Sequence, residues 1–402
     1  MNPKPLKKEI LGVALIGLGV LIFAGVLYLH SINPGAKEPF SKSEMLGYIW
    51  KNYKEEYVEK DTYRTLDRQQ NDITTSEGQA YTMLRAVWMD DKQTFDGAFK
   101  WANDNLGRSS DNLYSWLFGK RADGTFGVLD DRGGENTASD ADADIALALI
   151  FAYNRWGDQN YLTSAQAIID DIWDFEVVSV KGIPYMAAND LERLSKEKII
   201  VNPSYLSPGA YRIFAKYDTD HDWLAVVDSS YNLLTSVTQN RLDTQTSAAI
   251  PPDWVVISRE TGNAIDSGNA NLSTNFGYEA LRVPWRIALD YTWFKDDAPK
   301  IYLSRLGFLA SEWREKGRLA SVYKHDGSPV AVDQVPAMYA GTLGYFMIQQ
   351  PDLAKEIYEQ KLLFLFDLDT NDWKTRLSYY DDNIVWFGMA LYNDLSPNLD
   401  QK

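Results

Sequence analysis

Cysteine is absent from the 402-residue chain, and histidine is nearly absent, with only His30, His221 and His325. Without cysteine the chain can form no disulfide, no thiolate nucleophile and no cysteine-ligated zinc site. Three histidines make a multi-histidine metal site very hard to build. We therefore expect no metal and no other cofactor, and any chemistry must come from carboxylates, hydroxyls or the Arg and Lys side chains.

Basic residues are also in short supply, with 40 Lys and Arg against 56 Asp and Glu and a net charge of −16. Nucleic-acid binding depends on clustered cations, and no such cluster occurs outside the extreme N-terminus, so nucleic acid is not an expected partner. A polysaccharide lyase acting on uronic-acid polymers is disfavoured for a related reason, because elimination needs cations that neutralise the substrate carboxylate.

Aromatic residues, in contrast, are abundant: 13 Trp, 24 Tyr and 16 Phe make up 13% of the chain. Such rings can fill a large core, or they can present flat amphipathic surfaces on which sugar rings stack. Composition alone leaves both interpretations open.

The N-terminus carries an apolar run from Ile10 to Leu29, preceded by Lys4, Lys7 and Lys8. About 20 apolar residues form about 30 Å of helix, which is enough to cross a bilayer. The pattern predicts a cytoplasmic basic tail at residues 1–9, a single-pass signal anchor at 10–30, and a Pro/Gly-containing linker at 31–40, with everything after the anchor outside the cell. A cleaved signal peptide is the alternative, although the run is longer than a usual signal sequence and no clear cleavage site follows.

The remaining residues, 41–402, form the predicted working domain, opened by a capping box at Ser41 and Glu44. Four segments repeat one pattern of a helix, a short polar turn and a second helix; they begin near residues 80, 144, 284 and 341, and a further unit is expected between 202 and 234. This predicts an all-α array of about six helical hairpins. Short β-hairpins near residues 254–262 and 321–327 interrupt the helices and are expected at the rim of a groove. The repeat does not distinguish a closed ring from an open solenoid.

Familiar nucleophile, zinc and phosphate motifs are missing from the sequence. The segment DTDHDW at 218–223 resembles the start of a calcium-binding loop, but Trp223 replaces the turn glycine and Ser229 replaces the closing glutamate. We interpret this segment as a polar turn.

Three segments place carboxylates among apolar residues, where an unpaired charge is costly. Glu77 lies before a strongly apolar helix, although Thr74 to Glu77 also fits a structural capping box. Residues 139–144 hold three aspartates, of which Asp140 and Asp144 share one helix face while Asp142 points away; an acidic helix start is the alternative interpretation. Glu279 and Arg282 stand at i, i+3 and can pair. Together the segments suggest paired carboxylates.

Five blocks that occur in order along the chain, TSEGQAYTM, TASDADADIALA, NPSYLSPGAYRIF, PPDW and YEALRVPWRIALDY, resemble the signature blocks of glycoside hydrolase family 8. The family includes endoglucanases, the endoglucanases of bacterial cellulose-synthesis systems, xylanases and chitosanases. The resemblance implies an (α/α)6 barrel with a substrate groove across one end and cleavage of β-1,4 bonds with inversion.

The resemblance also implies roles for individual residues. Glu77 matches the general acid of the S-E-G block, and Asp140 matches the aspartate that contacts the sugar at the cleavage point. Tyr205 matches the tyrosine that holds the attacking water, Arg282 matches the arginine that orients the base, and Trp116 resembles a sugar-stacking platform.

The sequence departs from the family pattern at Glu279, where the motif usually has an aspartate as general base. The extra methylene displaces the carboxylate by about 1.5 Å. Two alternatives follow: another carboxylate, Asp253 or one near residues 218–222, acts as base, or the protein is a catalytically idle polysaccharide-binding component.

We therefore expect a membrane-anchored extracellular endo-β-1,4-glycanase, most similar to an endoglucanase. Its expected partners are a β-1,4-linked polysaccharide, the cell membrane and, as a further candidate, a polysaccharide synthase complex. The two carboxyls of an inverting enzyme must lie about 6.5 to 9.5 Å apart, and one of them must stay protonated.

Overall fold

A computed structural model describes residues 41–242 and 246–401 of the chain. Helices dominate, as predicted: α1 Lys42–Tyr57, α2 Ser76–Trp88, α3 Lys92–Asn105, α4 Ser139–Trp156, α5 Gln159–Phe175, α6 Pro208–Tyr217, α7 Trp223–Gln239, α8 Val283–Phe294, α9 Asp297–Leu303, α10 Gly307–Lys316, α11 Pro336–Gln349, α12 Pro351–Ile357 and α13 Tyr379–Tyr392. The predicted capping box is present, because the Ser41 backbone N–H donates to Glu44 at 2.8 Å and the Glu44 N–H donates to Ser41 at 3.2 Å.

The helices form antiparallel hairpins, each with one inner and one outer member. The pairs α2–α3, α4–α5 and α6–α7 pack as hairpins, α8 packs with α9, and α11 packs with α12. Residues 46–57 of α1 cover α13, where the Trp386 indole N–H donates to the Leu46 carbonyl at 3.4 Å. The pair α6–α7 is the unit expected between residues 202 and 234.

Several hairpin turns use one device, a residue with left-handed backbone followed by an aspartate that caps the next helix. It occurs at residues 90–91, 157–158 and 295–296. A positive φ reverses the chain, and the aspartate side chain then accepts a backbone N–H of the new helix. This local chemistry explains why the hairpin repeat is visible in the sequence.

The inner helices close into a ring. Within the described ranges six of them, α2, α4, α6, α8, α11 and α13, pack each against the next. The ring closes between α13 and α2, where Arg85 forms a buried ion pair with Asp382 at 3.0 Å and the ring of Tyr81 meets Phe387 edge-on at 5.0 Å. The inner helices are apolar on nearly all sides because they are covered by the outer helices and by each other. A closed ring, rather than an open solenoid, is the observed architecture.

Small antiparallel sheets lie between the helices. They are formed by β1 Thr74–Thr75, β2 Leu117–Lys120 and β3 Phe126–Val128; β4 Val177–Val180 and β5 Ile183–Met186; β6 Lys198–Val201, β7 Val255–Ser258 and β8 Ala264–Ile265; β9 Val322–Tyr323 and β10 Pro329–Ala331; β11 Phe366–Asp367 and β12 Asp372–Trp373. The two hairpins predicted from turn signals are confirmed as β7–β8 and β9–β10.

The predicted tail, anchor and linker, residues 1–40, lie outside the described residues. Among the helices of residues 41–242 and 246–401, none is both long and apolar enough to span a bilayer.

Candidate active site

The N-termini of the inner helices meet at one end of the ring, and the candidate residues lie there. Glu77 is in the first turn of α2, Asp140 is in the first turn of α4, and Arg282 immediately precedes α8. Tyr205 lies in a 3₁₀ turn, Pro203–Tyr205, shortly before α6. Helix N-termini carry partial positive charge and favour carboxylates, which explains how one end of the ring accommodates several of them.

The start of α2 differs from a simple capping box. The cap is Thr75, whose hydroxyl accepts the Gly78 N–H at 3.0 Å, while the Thr74 hydroxyl donates to the Thr65 carbonyl at 2.6 Å. The Glu77 carboxylate does not turn back to the helix but extends to Arg282. The capping-box interpretation of Thr74 to Glu77 is therefore wrong, and Glu77 is available for the site.

Arg282 is the hub of the site. Its Nη1 donates to Glu77 Oε2 at 2.6 Å, to Asp140 Oδ2 at 3.2 Å and to the Tyr81 hydroxyl at 3.0 Å. Its Nη2 donates to Glu279 Oε2, so the i, i+3 pair predicted from the sequence is present. The side chains of Arg282 and Asp140 are both only 2% exposed, whereas those of Glu77 and Glu279 are 22% and 32% exposed. The two glutamates thus face the open end of the ring, and the other two groups support them from behind.

The separation of the two glutamates is limited by this shared guanidinium. Each hydrogen bonds to one of its terminal nitrogens, so the bound oxygens of Glu77 and Glu279 lie at most about 7 Å apart. This upper limit reaches the lower end of the spacing of about 6.5 to 9.5 Å that inversion requires.

The site holds more carboxyls than cations, which affects their protonation. Burial raises the pKa of Glu77 to about 7; Arg282 opposes this increase, and the nearby carboxyls of Asp140 and Glu279 reinforce it. Burial likewise raises the pKa of Asp140 to about 6 against the opposing charge of Arg282. Burial and the neighbouring carboxylates thus outweigh the helix N-terminus, and about half of the Glu77 carboxyls hold a proton at pH 7.

The aspartates of α4 point as their helical spacing predicts. Asp144 lies on the face of Asp140 and forms a two-pronged ion pair with Arg286, with both contacts at 2.8 Å. Asp142 points away and is buried beside Glu176, while its other oxygen accepts the Tyr114 N–H at 3.0 Å. Asp142 Oδ2 and Glu176 Oε2 have no hydrogen-bond partner among the described residues. Burial raises the pKa of both carboxyls, that of Glu176 to about 8, and each carboxyl is close enough to affect the other.

Glu279 is held by its backbone as well as by Arg282. It directly precedes the 3₁₀ turn Ala280–Arg282, and Asp253 Oδ1 accepts the backbone N–H groups of Gly277, Glu279 and Ala280 at 3.0, 3.2 and 2.8 Å. Asp253 therefore braces the segment that carries Glu279. Burial raises the pKa of Asp253 to about 7.

The other alternative carboxylates lie elsewhere. Residues 218–222 follow the C-terminus of α6, about 15 Å of helix from its active-site end. Asp218 accepts the Trp223 indole N–H at 2.8 Å, and Asp222 caps α7. As predicted, the segment is a polar turn. Among residues 41–242 and 246–401 no cluster of His, Asp and Glu could hold a metal ion.

Tyr205 and Trp116 border the carboxylates. The Tyr205 ring lies 5.6 Å from the Arg282 guanidinium carbon and meets Trp254 edge-on at 5.8 Å. The Trp116 carbonyl accepts the N–H of Ser76 at 3.0 Å, directly before Glu77, and its indole donates to Gly133 at 2.8 Å. Trp116 therefore lies beside the first turn of α2.

Several residues that contact the site were not predicted. Asn202 donates to Glu279 Oε2 at 2.9 Å, and Tyr81 binds Arg282. Tyr380, at the start of α13, donates to the carbonyl of Tyr278 and meets its ring edge-on at 6.0 Å. Asn202 and Tyr81 lie within the quoted sequence blocks, but nothing in their local spacing indicates these partners.

Comparison with known proteins gives a consistent result. The model of the family "Glycosyl hydrolases family 8" matches residues 25–380. The chain is 29% identical over 329 residues to Endoglucanase A of Acetivibrio thermocellus, a match that covers 79% of this chain and 63% of that protein. The chain spans between half and two thirds of the length of the first curated relatives that it matches.

Solved structures share the fold. The endo-1,4-D-glucanase from Vibrio fischeri ES114 has a TM-score of 0.71 at 22% identity, with 86% of this chain and 94% of that chain covered. The β-1,3-1,4-glucanase from Paenibacillus sp. X4 has a TM-score of 0.73 at 22% identity, with 89% and 93% covered.

Proposed function

We propose, since the chain belongs to glycosyl hydrolases family 8, that it is an endo-acting β-1,4-glucanase that hydrolyses its substrate with inversion. The observation that carries the proposal is the pair of partly exposed carboxyls, Glu77 and Glu279, held on one buried guanidinium at the open end of the ring. The names of the related proteins support a glucan as substrate, since they include an Endoglucanase A and an endo-1,4-D-glucanase.

In the proposed reaction Glu77 is the general acid. Its pKa of about 7 leaves about half of the carboxyls protonated at pH 7 and most of them below it, and that proton passes to the glycosidic oxygen as the bond to the anomeric carbon breaks. Glu279, as carboxylate, accepts a proton from a water molecule whose oxygen attacks the anomeric carbon from the opposite face. Tyr205 is proposed to hold this water, and Arg282 to orient Glu279.

Two further residues are proposed to bind the sugar. Asp140, which accepts from Arg282 at 3.2 Å, is proposed to contact the sugar unit at the cleavage point. Trp116 is proposed as a stacking platform beside the first turn of α2. The site is unfavourable for a polysaccharide lyase, because its carboxyls outnumber its cations and would repel a uronic-acid polymer.

The test is reducing-end release by the full chain and by its Glu77→Gln and Glu279→Gln variants. Carboxymethylcellulose, mixed-linkage glucan, xylan and chitosan are the substrates. We expect glucan hydrolysis that falls at least about 100-fold in each variant, because each removes one proton-transfer group, and NMR of the first product should show the α-anomer. Activity lost only in Glu77→Gln would move the base to another carboxylate such as Asp253. Glucan binding without cleavage would instead favour the idle polysaccharide-binding protein.

We also infer that residues 10–30 anchor the chain in the cell membrane with the catalytic domain outside. The support is the apolar run and its cationic flank, read from the sequence alone. An anchored glucanase would act on a polymer made or displayed by the same cell, so a polysaccharide synthase complex is a proposed partner. Resistance of the full chain to carbonate extraction, with its C-terminal part open to protease on intact cells, would support this topology, whereas release into the soluble fraction would refute it.

A further inference from the structure

Asn202 is fully buried at the base of the site and precedes the 3₁₀ turn that carries Tyr205. Its side-chain oxygen accepts both the backbone N–H of Ser204, at 2.9 Å, and the Ser204 hydroxyl, at 2.8 Å. These two donors fix the orientation of the amide, because only its oxygen can accept them. The NH2 group must then point the other way, and it donates to Glu279 Oε2 at 2.9 Å.

The two donors that reach Glu279 share one oxygen. Arg282 Nη2 and Asn202 Nδ2 both bind Oε2. Among the described residues no hydrogen bond reaches Oε1, and the side chain is 32% exposed. One carboxylate oxygen is thus anchored, and the other remains available to the groove.

We propose that Asn202 is a positioning residue that, together with Arg282, anchors Oε2 of Glu279 so that Oε1 is the atom that takes the proton from the attacking water. This inference rests on the proposed function, in which Glu279 is the general base. A glutamate has one more rotatable bond than the aspartate usual at this position, so its carboxylate needs a second anchor to keep one orientation.

Asn202 also connects the base to the residue proposed to hold the water. Its backbone carbonyl accepts the N–H of Tyr205 at 3.0 Å, so one residue fixes both the turn that carries Tyr205 and the carboxylate of Glu279. Correct relative placement of base and water contributes strongly to rate. The loss of this link should therefore lower kcat more than it raises KM.

Several charged and titratable groups surround Glu279, and the Asn202 amide acts on the carboxylate in addition to them. Arg282 pairs with Glu279 directly, and Glu77 and Asp140 lie across the same guanidinium. Asp253 lies behind the backbone turn. Burial raises the pKa of the Tyr205 and Tyr380 hydroxyls, and the nearby charge of Glu279 adds to this increase. Asn202 is a neutral donor in this group, and a donor stabilises the ionised form of the carboxylate that accepts from it.

The experiment compares the full chain with Asn202→Ala and Asn202→Asp, measuring reducing-end release from the best glucan substrate between pH 4 and 9. Asn202→Asp has nearly the same shape and still offers an oxygen to Ser204, but it replaces the donor to Glu279 with an acceptor. The matched control is Asn189→Ala, because Asn189 caps another 3₁₀ turn, Asp190–Leu194, through Leu191 and does not contact Glu279. Circular dichroism and a thermal melt establish that each variant is folded.

We expect Asn202→Ala to move the ascending limb of the plot of kcat against pH to higher pH by about one unit and to leave the descending limb in place. Its kcat at the optimum should fall about 10-fold, with KM changed less than about threefold. Asn202→Asp should move the ascending limb further, and Asn189→Ala should move neither limb. If Asn202→Ala does not fold, the Asn202→Asp profile decides the question.

The outcomes separate this inference from the proposed function. Wild-type hydrolysis that is lost in Glu279→Gln, with an unchanged ascending limb in the folded Asn202 variants, overturns the inference alone. Hydrolysis that survives Glu279→Gln overturns the base assignment and the role of Asn202 but keeps the hydrolase. A wild-type chain that hydrolyses no polymer refutes the proposed function and the inference together.

Discussion

The pKa of Glu77 offers the sharpest test of the site, and Asp140→Asn is the perturbation that reaches it. Both carboxyls bind Nη1 of Arg282, at 2.6 and 3.2 Å, so their bound oxygens lie within about 6 Å of each other. At an effective dielectric constant of 20, two negative charges at this distance repel by about 3 kcal/mol, or about two pH units of pKa. The pKa of Asp140 is about 6, so its carboxyl is ionised when Glu77 titrates near 7.

Asp140→Asn should therefore lower the pKa of Glu77 by up to about two pH units. The descending limb of the kcat/KM profile, which reports loss of the acid's proton, should move to lower pH by at least one unit. At pH 7 the protonated fraction of Glu77 would fall from about one half to as little as about one in a hundred. The loss of the proposed sugar contact lowers the whole profile but does not move this limb.

The assay is the initial rate of reducing-end release from a soluble glucan at low substrate concentration, between pH 4 and 9. Asp144→Asn is the matched control, because it removes an equally buried carboxylate from the same face of α4, one turn later, where the partner is Arg286. We expect its descending limb to stay within about half a pH unit of the wild type. A descending limb that stays near pH 7 in Asp140→Asn, or moves to higher pH, would refute the electrostatic account of the acid.

Two further predictions concern stability and the start of α2. Burial raises the pKa of Glu176 to about 8 and that of Asp142 well above its usual range, so the folded chain binds protons that the unfolded chain releases. These bound protons add to the free energy of unfolding in full below about pH 4.5, and their contribution is lost as the pH rises through about 8. Glu176→Gln should therefore melt at least about 2 °C above the wild type at pH 9, with a smaller difference at pH 5. An equal difference at both pH values would exclude proton uptake by Glu176 on folding. A Cβ on Gly78 would lie 2.7 Å from the Tyr379 hydroxyl. Gly78→Ala should therefore lower the free energy of unfolding, measured in urea, by about 1–3 kcal/mol, and it should lower the rate of hydrolysis by displacing Glu77. Unchanged stability and activity would show that α2 can adjust.

Much of the fold could be predicted because its signals are local. The hairpin turns at residues 90–91, 157–158 and 295–296 combine a positive φ with an aspartate cap, and both devices depend on neighbouring residues alone. Closure of the ring could not be read from the same repeat. It depends on Arg85 and Asp382, which are 297 positions apart, and only the family resemblance pointed to a closed ring.

Some of the residues that meet at the open end of the ring were predicted, but most of their connections were not. Helical periodicity separated Asp140 and Asp144 from Asp142, and the i, i+3 spacing paired Glu279 with Arg282. The same local reasoning gave a capping box for Glu77, because the pattern T-x-x-E cannot show that a buried arginine 205 positions away is the better partner. The bracing role of Asp253 was missed for the same reason, since its three donors lie 24 to 27 positions away.

The excess of carboxyls over cations gives the ring's open end its chemistry. Six inner helices within the described residues could have buried apolar side chains at this end, as they do along their length, yet Glu77, Asp140 and Glu279 surround a single guanidinium. One positive charge does not balance three ionised carboxylates, so full ionisation of the cluster is disfavoured, and the raised pKa of Glu77 favours a proton on that partly exposed side chain. Arg282 thus has two opposed effects: it favours ionised carboxylates, and by gathering three of them it makes full ionisation too costly. The proposed acid and the proposed base can then coexist at one pH.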